Sequence, residues 1–235
     1  MNEPRVLVAA PTYKGKHYMF PRWYANIQKL NYPNYDFIVV DNTNNLSYVS
    51  KLRREGYKHI YHQSRGGNSR IAIARASEFI RRYAVENDYD YIMFIETDLL
   101  PPKNIIQRLM GYKKPVTGAI YEIGLHNSTE SPRKPLLYRP EEAIDGTIHL
   151  KILTPKEGYS MMNKGLLQTP AMGLGCCLIH SNIFKKYTFK YTSTGKQHTD
   201  SLFYYELWRD KVPVWVDTDI IIYHENQNWA VVKDW

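Results

Sequence analysis

Short apolar runs alternate with amphipathic stretches along most of the 235-residue chain. The run 5–10 (RVLVAA), stopped by Pro11, is too short for a helix and predicts a buried strand. Residues 18–30 predict a helix with an early Pro21. The run 36–40 (DFIVV) predicts a second buried strand ending in Asp41-Asn42 and a polar turn. A short helix over 48–55 and a short strand over 59–62 follow. Across 68–87, Ile71, Ala74, Phe79, Ile80 and Tyr83 recur at roughly helical spacing while Arg81 and Arg82 face water. The run 91–95 (YIMFI) predicts a strand buried on both faces, and Pro101-Pro102 opens a helix over 103–110. Strands at 115–121, 173–179 and 214–223 and a helix at 202–211 complete the pattern.

Buried strands separated by helices imply an α/β fold whose mostly parallel central sheet is flanked by helices. Ligands in such sheets bind beyond the carboxyl ends of the strands. That rule places Pro11-Thr12-Tyr13, Asp41-Asn42 and Glu96-Thr97-Asp98 along one rim. Between 124 and 169 the pattern weakens into a polar stretch (NSTESPRKP) and a hairpin signal around Asp145-Gly146. A long irregular insertion of this kind is expected to be a lid or a binding loop. No repeat and no linker interrupts the chain, so 1–235 is expected to form a single domain.

Composition changes this picture in three ways. A net charge of +8 favours anionic partners. Twenty tyrosines offer flat faces and hydroxyls suited to sugars and bases. The two cysteines, Cys176 and Cys177, are adjacent, so in a strand they point to opposite faces, and no zinc pattern exists. With no signal peptide and no apolar run near the ~20 residues of a membrane span, the chain is expected to be cytoplasmic, with peripheral membrane contact left open.

Four groups carry candidate chemistry. Glu96 and Asp98, two residues apart after a buried strand, point the same way in extended backbone and suit a hard divalent cation. His224 directly follows the last strand and offers an imidazole ligand from the opposite side. Asp200, at a helix start, suits a general base acting on an acceptor hydroxyl, with Glu206 as the second candidate. Asp41 suits a base N–H or a ribose hydroxyl, and the turn 66–70 with Arg70 suits phosphate. Gly173-Leu174-Gly175 suits a close backbone approach to a sugar, while Asp217 and Asp219 suit strand-edge charges.

The ordered segments VLVAAPTYKGK, FIVVDNTNN, GNSRIAIARASEFI, DYIMFIETDLLPPKNIIQRLM, PVTGAIY, GLGCCLIHSNIFKKY and TDSLFYYELWRDKVPVWVDTDIIIYHEN resemble glycosyltransferases of the GT-A fold, especially the family 2-like enzymes. The resemblance spans nearly the whole chain. It implies a Rossmann-like GT-A domain and a nucleotide-sugar donor, with UDP as the expected nucleotide. It also implies Mn²⁺ or Mg²⁺ and inversion at the anomeric carbon. The family's acidic metal motif falls on Glu96, Thr97 and Asp98, with Asp98 the direct ligand and Glu in place of the usual first Asp. Its late metal histidine falls on His224, its base on Asp200 and its nucleotide-binding carboxylate on Asp41. Apart from the resemblance, Pro11, Thr12, Tyr13, Arg70 and Gly175 are donor-pocket candidates by their positions along the chain. Two acceptors stay open: a surface or lipid-linked glycan, and a hydroxylated nucleic-acid base, which the positive charge suits. A sugar-nucleotide nucleotidyltransferase would carry more glycine than PTYKGK has, and a non-catalytic sugar or nucleotide binder is the remaining reading.

Overall fold

The computed structural model describes residues 3–124, 132–142, 146, 148–195 and 197–225. The first half alternates strand and helix as expected: β1 (Val6–Thr12), α1 (Phe20–Ile27), β2 (Tyr35–Asp41), α2 (Ser47–Arg54), β3 (Ile60–His62), α3 (Ser69–Glu86) and β4 (Tyr91–Ile95). A two-residue strand, β5 (Leu99–Leu100), precedes α4 (Ile105–Gly111) and β6 (Val116–Ile123). Then come β7 (Lys134–Pro135), β8 (Leu137–Glu142), β9 (Ile148–Ile152), α5 (Pro155–Ser160), β10 (Leu166–Thr169) and β11 (Ala171–Met172). The chain closes with β12 (Cys176–His180), α6 (Ser181–Phe184), α7 (Thr199–Arg209) and β13 (Val214–His224).

The central sheet runs β10-β13-β6-β12-β4-β1-β2-β3. Strands β1, β2, β3, β4, β6 and β13 point one way, while β12 and β10 run against them. The sheet is therefore mostly parallel, and helices flank it, as in a GT-A-like domain. The alternation of β1 shows why both faces must be covered. Leu7 and Ala9 pack with Ile80 of α3 and Phe203 of α7, whereas Val6, Val8 and Ala10 pack with Phe20 and Trp23 of α1 and Leu52 of α2. Val6, Leu7 and Val8 have no exposed surface. Each such side chain contributes about 1.5–3 kcal/mol relative to exposure. Cys176 and Cys177 are free and buried on opposite sides, one in each core.

Much of the stretch where the hydrophobic pattern weakens is regular. Strands β8 and β9 pair antiparallel from Tyr138↔Ile152 to Glu142↔Ile148, which is the hairpin signalled around 145–146. Asp145 itself lies outside the described residues. Thr154 and Glu157 form a capping box that starts α5. The hairpin returns through β11, which pairs with β8 in a second sheet beside the strand ends. Asp217 corrects an expectation: it is not a strand-edge charge. It has no exposed surface and accepts from Arg108 at 2.7 Å and 3.1 Å and from the Tyr112 hydroxyl at 2.7 Å. A buried carboxylate needs such partners, and they tie α4 to β13.

Candidate active site

The strand ends meet in a cleft of 380 Å³, within the usual range for small-ligand sites. Pro11, Thr12 and Tyr13 line it from the end of β1, Asn42 and Arg65 from the loops after β2 and β3, and Ser69 from the start of α3. Glu96, Asp98 and His224 also line it. Tyr121, which meets the His224 ring edge-on at 5.5 Å, Tyr138, His198 and Asp200 line it as well.

Local pairing explains the acidic wall. The Thr12 and Thr97 hydroxyls bond at 3.1 Å and tie the end of β1 to the turn after β4. The Glu96 N–H donates to the Gly175 carbonyl at 2.8 Å. Strand β5 follows at once and pairs Leu99 with His224, so the end of the last strand is held beside Asp98. His224 Nε2 lies 3.3 Å from Asp98 Oδ2, and both side chains are almost fully buried. His224 Nδ1 sits 2.5 Å from the Glu122 carbonyl, to which it must donate. In the neutral ring, Nε2 is therefore a bare lone pair facing a carboxylate oxygen that has no hydrogen-bond donor. Two such atoms can share a proton or a cation. Burial lowers the His224 pKa, but the hydrogen bond and charge of Asp98 outweigh it and raise the value above that of ordinary histidine. Burial likewise pushes Asp98 up, but Lys16 and His224 outweigh it and hold the carboxyl down at about 2.

The donor set fits a divalent ion. One carboxylate oxygen and one imidazole nitrogen at 3.3 Å are close to the ~3 Å spacing of neighbouring ligands around an octahedral ion with ~2.1 Å bonds. Among the described residues no third His, Cys, Asp or Glu joins them in a cluster, so further ligands would come from substrate or water. Lys16, unmarked by sequence reasoning, reaches both acidic residues: its ammonium is 2.9 Å from Asp98 Oδ1 and 3.3 Å from Glu96 Oε2. Its signal was a basic residue in the turn after β1, on the same rim as the acidic pair.

Asp200 occupies the first turn of α7. The Ser201 N–H donates to Oδ1 at 2.8 Å and the Tyr138 hydroxyl to Oδ2 at 3.3 Å. Burial is the largest influence and raises its pKa, against the pull of His198 and these two donors. The alternative base, Glu206, pairs with Lys190 at 2.5 Å and does not line the cleft.

Other expected residues support the cleft from behind. Asp41 has no exposed surface; it accepts from the Thr43 hydroxyl at 2.6 Å and the Thr43 N–H at 3.0 Å, with His62 Nδ1 at 3.3 Å. Its neighbour Asn42 faces the cleft instead. Arg70 donates through Nε to His198 Nε2 at 3.0 Å and lines an adjoining recess of 70 Å³ with Glu96 and Asp200. A Cβ on Gly175 would lie 2.7 Å from the Tyr121 ring, so this glycine makes room for Tyr121, whose hydroxyl accepts from the Gly175 N–H at 3.1 Å. Tyr121 and Tyr138 line the cleft and were also unmarked by the sequence.

No family model matches the chain, and no curated protein sequence matches it. Solved structures do. The crystal structure of A197 from STIV aligns with TM-score 0.51 and 14% identity over 95% of this chain and 86% of that one. The crystal structure of GalNAc-T7 with UDP, GalNAc and Mn²⁺ aligns with TM-score 0.61 and 14% identity over 100% of this chain. The present chain spans 45% of that protein. What these proteins share with this chain is a glycosyltransferase-like fold.

Proposed function

We propose that the protein is a metal-dependent glycosyltransferase that moves a sugar from a nucleotide-sugar, with UDP as the nucleotide, to an acceptor hydroxyl. The observation that carries this reading is the pairing of Asp98 with Nε2 of His224 in a cleft that Asp200 also lines. The likeness to the fold of GalNAc-T7, solved with UDP and Mn²⁺, supports it.

In this reading Pro11, Thr12, Tyr13 and Asn42 receive the nucleoside. Asp41 stiffens that turn through Thr43. Asp98 and His224 would hold Mn²⁺ or Mg²⁺, which when bound neutralises the charge that develops on a diphosphate leaving group. Asp200 accepts the proton of the acceptor hydroxyl as its oxygen attacks the anomeric carbon. The raised pKa of Asp200 makes it a stronger base than an exposed aspartate. Tyr138 and the Ser201 N–H hold its two oxygens in place.

A calorimetric screen tests the reading. Nucleoside diphosphates and nucleotide-sugars are titrated with and without Mn²⁺. Binding of a uridine nucleotide that needs Mn²⁺ and is lost in Asp98→Asn is the expected result. Failure of every nucleotide to bind under either condition refutes it.

A further inference from the structure

Beside the cleft lies a smaller space that the proposed function does not yet use. It is the recess of 70 Å³ that adjoins the cleft where Glu96, His198 and Asp200 line both. Ser77 of α3 and Thr199 of α7 line it, and Phe94 of β4 and Leu174 give it an apolar side. Its volume is more than twice the ~30 Å³ that one water occupies, so a lone sugar hydroxyl would leave much of it empty.

The lining holds polar groups that the fold itself leaves unpaired. Thr199 is 4% exposed, and its Oγ1 is buried with no hydrogen-bond partner among the described residues. Ser77, 2% exposed, brings a second hydroxyl from a helix whose other buried residues are alanines and Ile80. Arg70 gives Nε to His198, and among the described residues its two Nη groups make no hydrogen bond. Glu96 accepts from Lys16 through Oε2, which leaves Oε1 as an acceptor. Donors, an acceptor and an apolar surface thus share one small volume. A hydroxyl has nothing to set against Phe94 and Leu174, and an alkyl group leaves the hydroxyls unpaired. An acetamido group satisfies all three: its carbonyl accepts from the hydroxyls or Arg70, its N–H donates to a carboxylate, and its methyl meets the apolar side.

We propose that this recess receives the N-acetyl group of a nucleotide-linked amino sugar, with Ser77 and Thr199 setting the preference over the plain hexose. The inference rests on the nucleotide-sugar reading of the cleft. A sugar whose anomeric carbon lies between the Asp98–His224 pair and Asp200 has its ring beside Glu96 and Asp200, the two carboxylates that cleft and recess share. A site built to hydrogen-bond a substituent rejects the analogue that lacks it, because its buried polar groups then stay unpaired.

The test is calorimetric titration in the presence of Mn²⁺. UDP, UDP-glucose, UDP-galactose, UDP-N-acetylglucosamine and UDP-N-acetylgalactosamine are compared on wild type, Thr199→Val and Ser77→Ala, with circular dichroism melts to show folding. Thr199→Val keeps the shape and breaks no hydrogen bond, so it should fold as wild type does. The expected result is that at least one N-acetylated donor binds wild type at least tenfold more tightly than its parent hexose. That ratio should fall at least threefold in each variant, with the affinity for UDP unchanged. Parent hexoses that bind as tightly as both N-acetylated donors, on a protein that binds UDP, overturn the inference and leave the glycosyltransferase reading standing. A preference that persists undiminished in both folded variants also overturns it, because the acetamido group is then read elsewhere. No UDP binding refutes the reading, and the inference falls with it. Should neither variant fold, a crystal structure of wild type with the preferred donor decides: an acetamido group bonded to Thr199 Oγ1 supports the inference, and one lying in the open cleft overturns it.

Discussion

Asp98, which is buried, and Asp200, which is half-buried, line one cleft, and their surroundings drive them in opposite directions. At the end of β4, Asp98 meets the ammonium of Lys16 and the ring of His224, and these outweigh burial and hold it ionised. At the start of α7, Asp200 has a tyrosine hydroxyl and a backbone N–H as its donors, and burial wins. In the proposed reading, the same side chain serves as a firm anion beside a cation at one position and as a proton acceptor for a hydroxyl at the other. Carboxylates whose environments push their pKa values apart are the usual mark of divided roles in a site.

The strongest way to break this comparison is to remove the base. Asp200→Asn should lower transfer by about 10²–10⁴-fold, the range of general-base catalysis, with nucleotide binding unchanged by calorimetry. The raised pKa means that the folded chain binds this proton more tightly than the unfolded chain. That contribution to stability is present below the unfolded value of ~3.9 and is lost as pH rises through the folded value. At pH 7 the ionised group therefore opposes folding, and Asp200→Asn should melt at the same temperature as wild type or higher. A clear loss of stability would contradict the assignment.

Next to Asp98, His224→Ala should weaken Mn²⁺-dependent nucleotide binding by at least about 10–100-fold, since even outer partners of metal ligands are worth that much. Binding of nucleotide without metal should change little, which calorimetry distinguishes. A finer change sharpens the contrast at Asp200. Tyr138 donates to its carboxylate and so lowers its pKa. Tyr138→Phe should therefore shift the acidic limb of the rate profile to higher pH, by about one unit or less for one hydrogen bond to a charged group. The smallest expected effect is on stability alone. In Gly175→Ala the new methyl would meet Tyr121 at 2.7 Å and Leu99 at 2.9 Å, and urea unfolding should show a loss of about 1–3 kcal/mol.

The parallel half of the sheet was legible because each strand there is a short apolar run with its own turn signal, as in RVLVAA before Pro11. Glu96, Asp98 and His224 were legible for the same reason, standing at the ends of such strands on the rim, and Asp200 was legible from its place at a helix start. Residues held in place by distant partners were not. Lys16 reads as an ordinary surface lysine until the fold brings the turn after β1 to the acidic pair. Tyr121 reads as a strand residue, Tyr138 falls in the stretch where the pattern weakens, and Gly175 reads as a sugar-contact glycine, because only packing shows that the glycine seats Tyr121. Asp217 pairs with Arg108 across 109 positions, and the alternation of β13 carries no trace of that partner. Local pattern fixes where a residue sits along an element, whereas the partner that sets its charge comes from the tertiary fold.

The central claim is that Asp98 and His224 form one half of a nucleotide-sugar site whose other half is Asp200. The most direct measurement is an anomalous-scattering map from a crystal grown with UDP and Mn²⁺. The account predicts a single manganese peak bonded to Asp98 and to His224 Nε2, with the nucleoside against Pro11–Tyr13 and the diphosphate end directed toward Asp200. Manganese absent from that pair, or nucleotide bound outside the cleft, would contradict it.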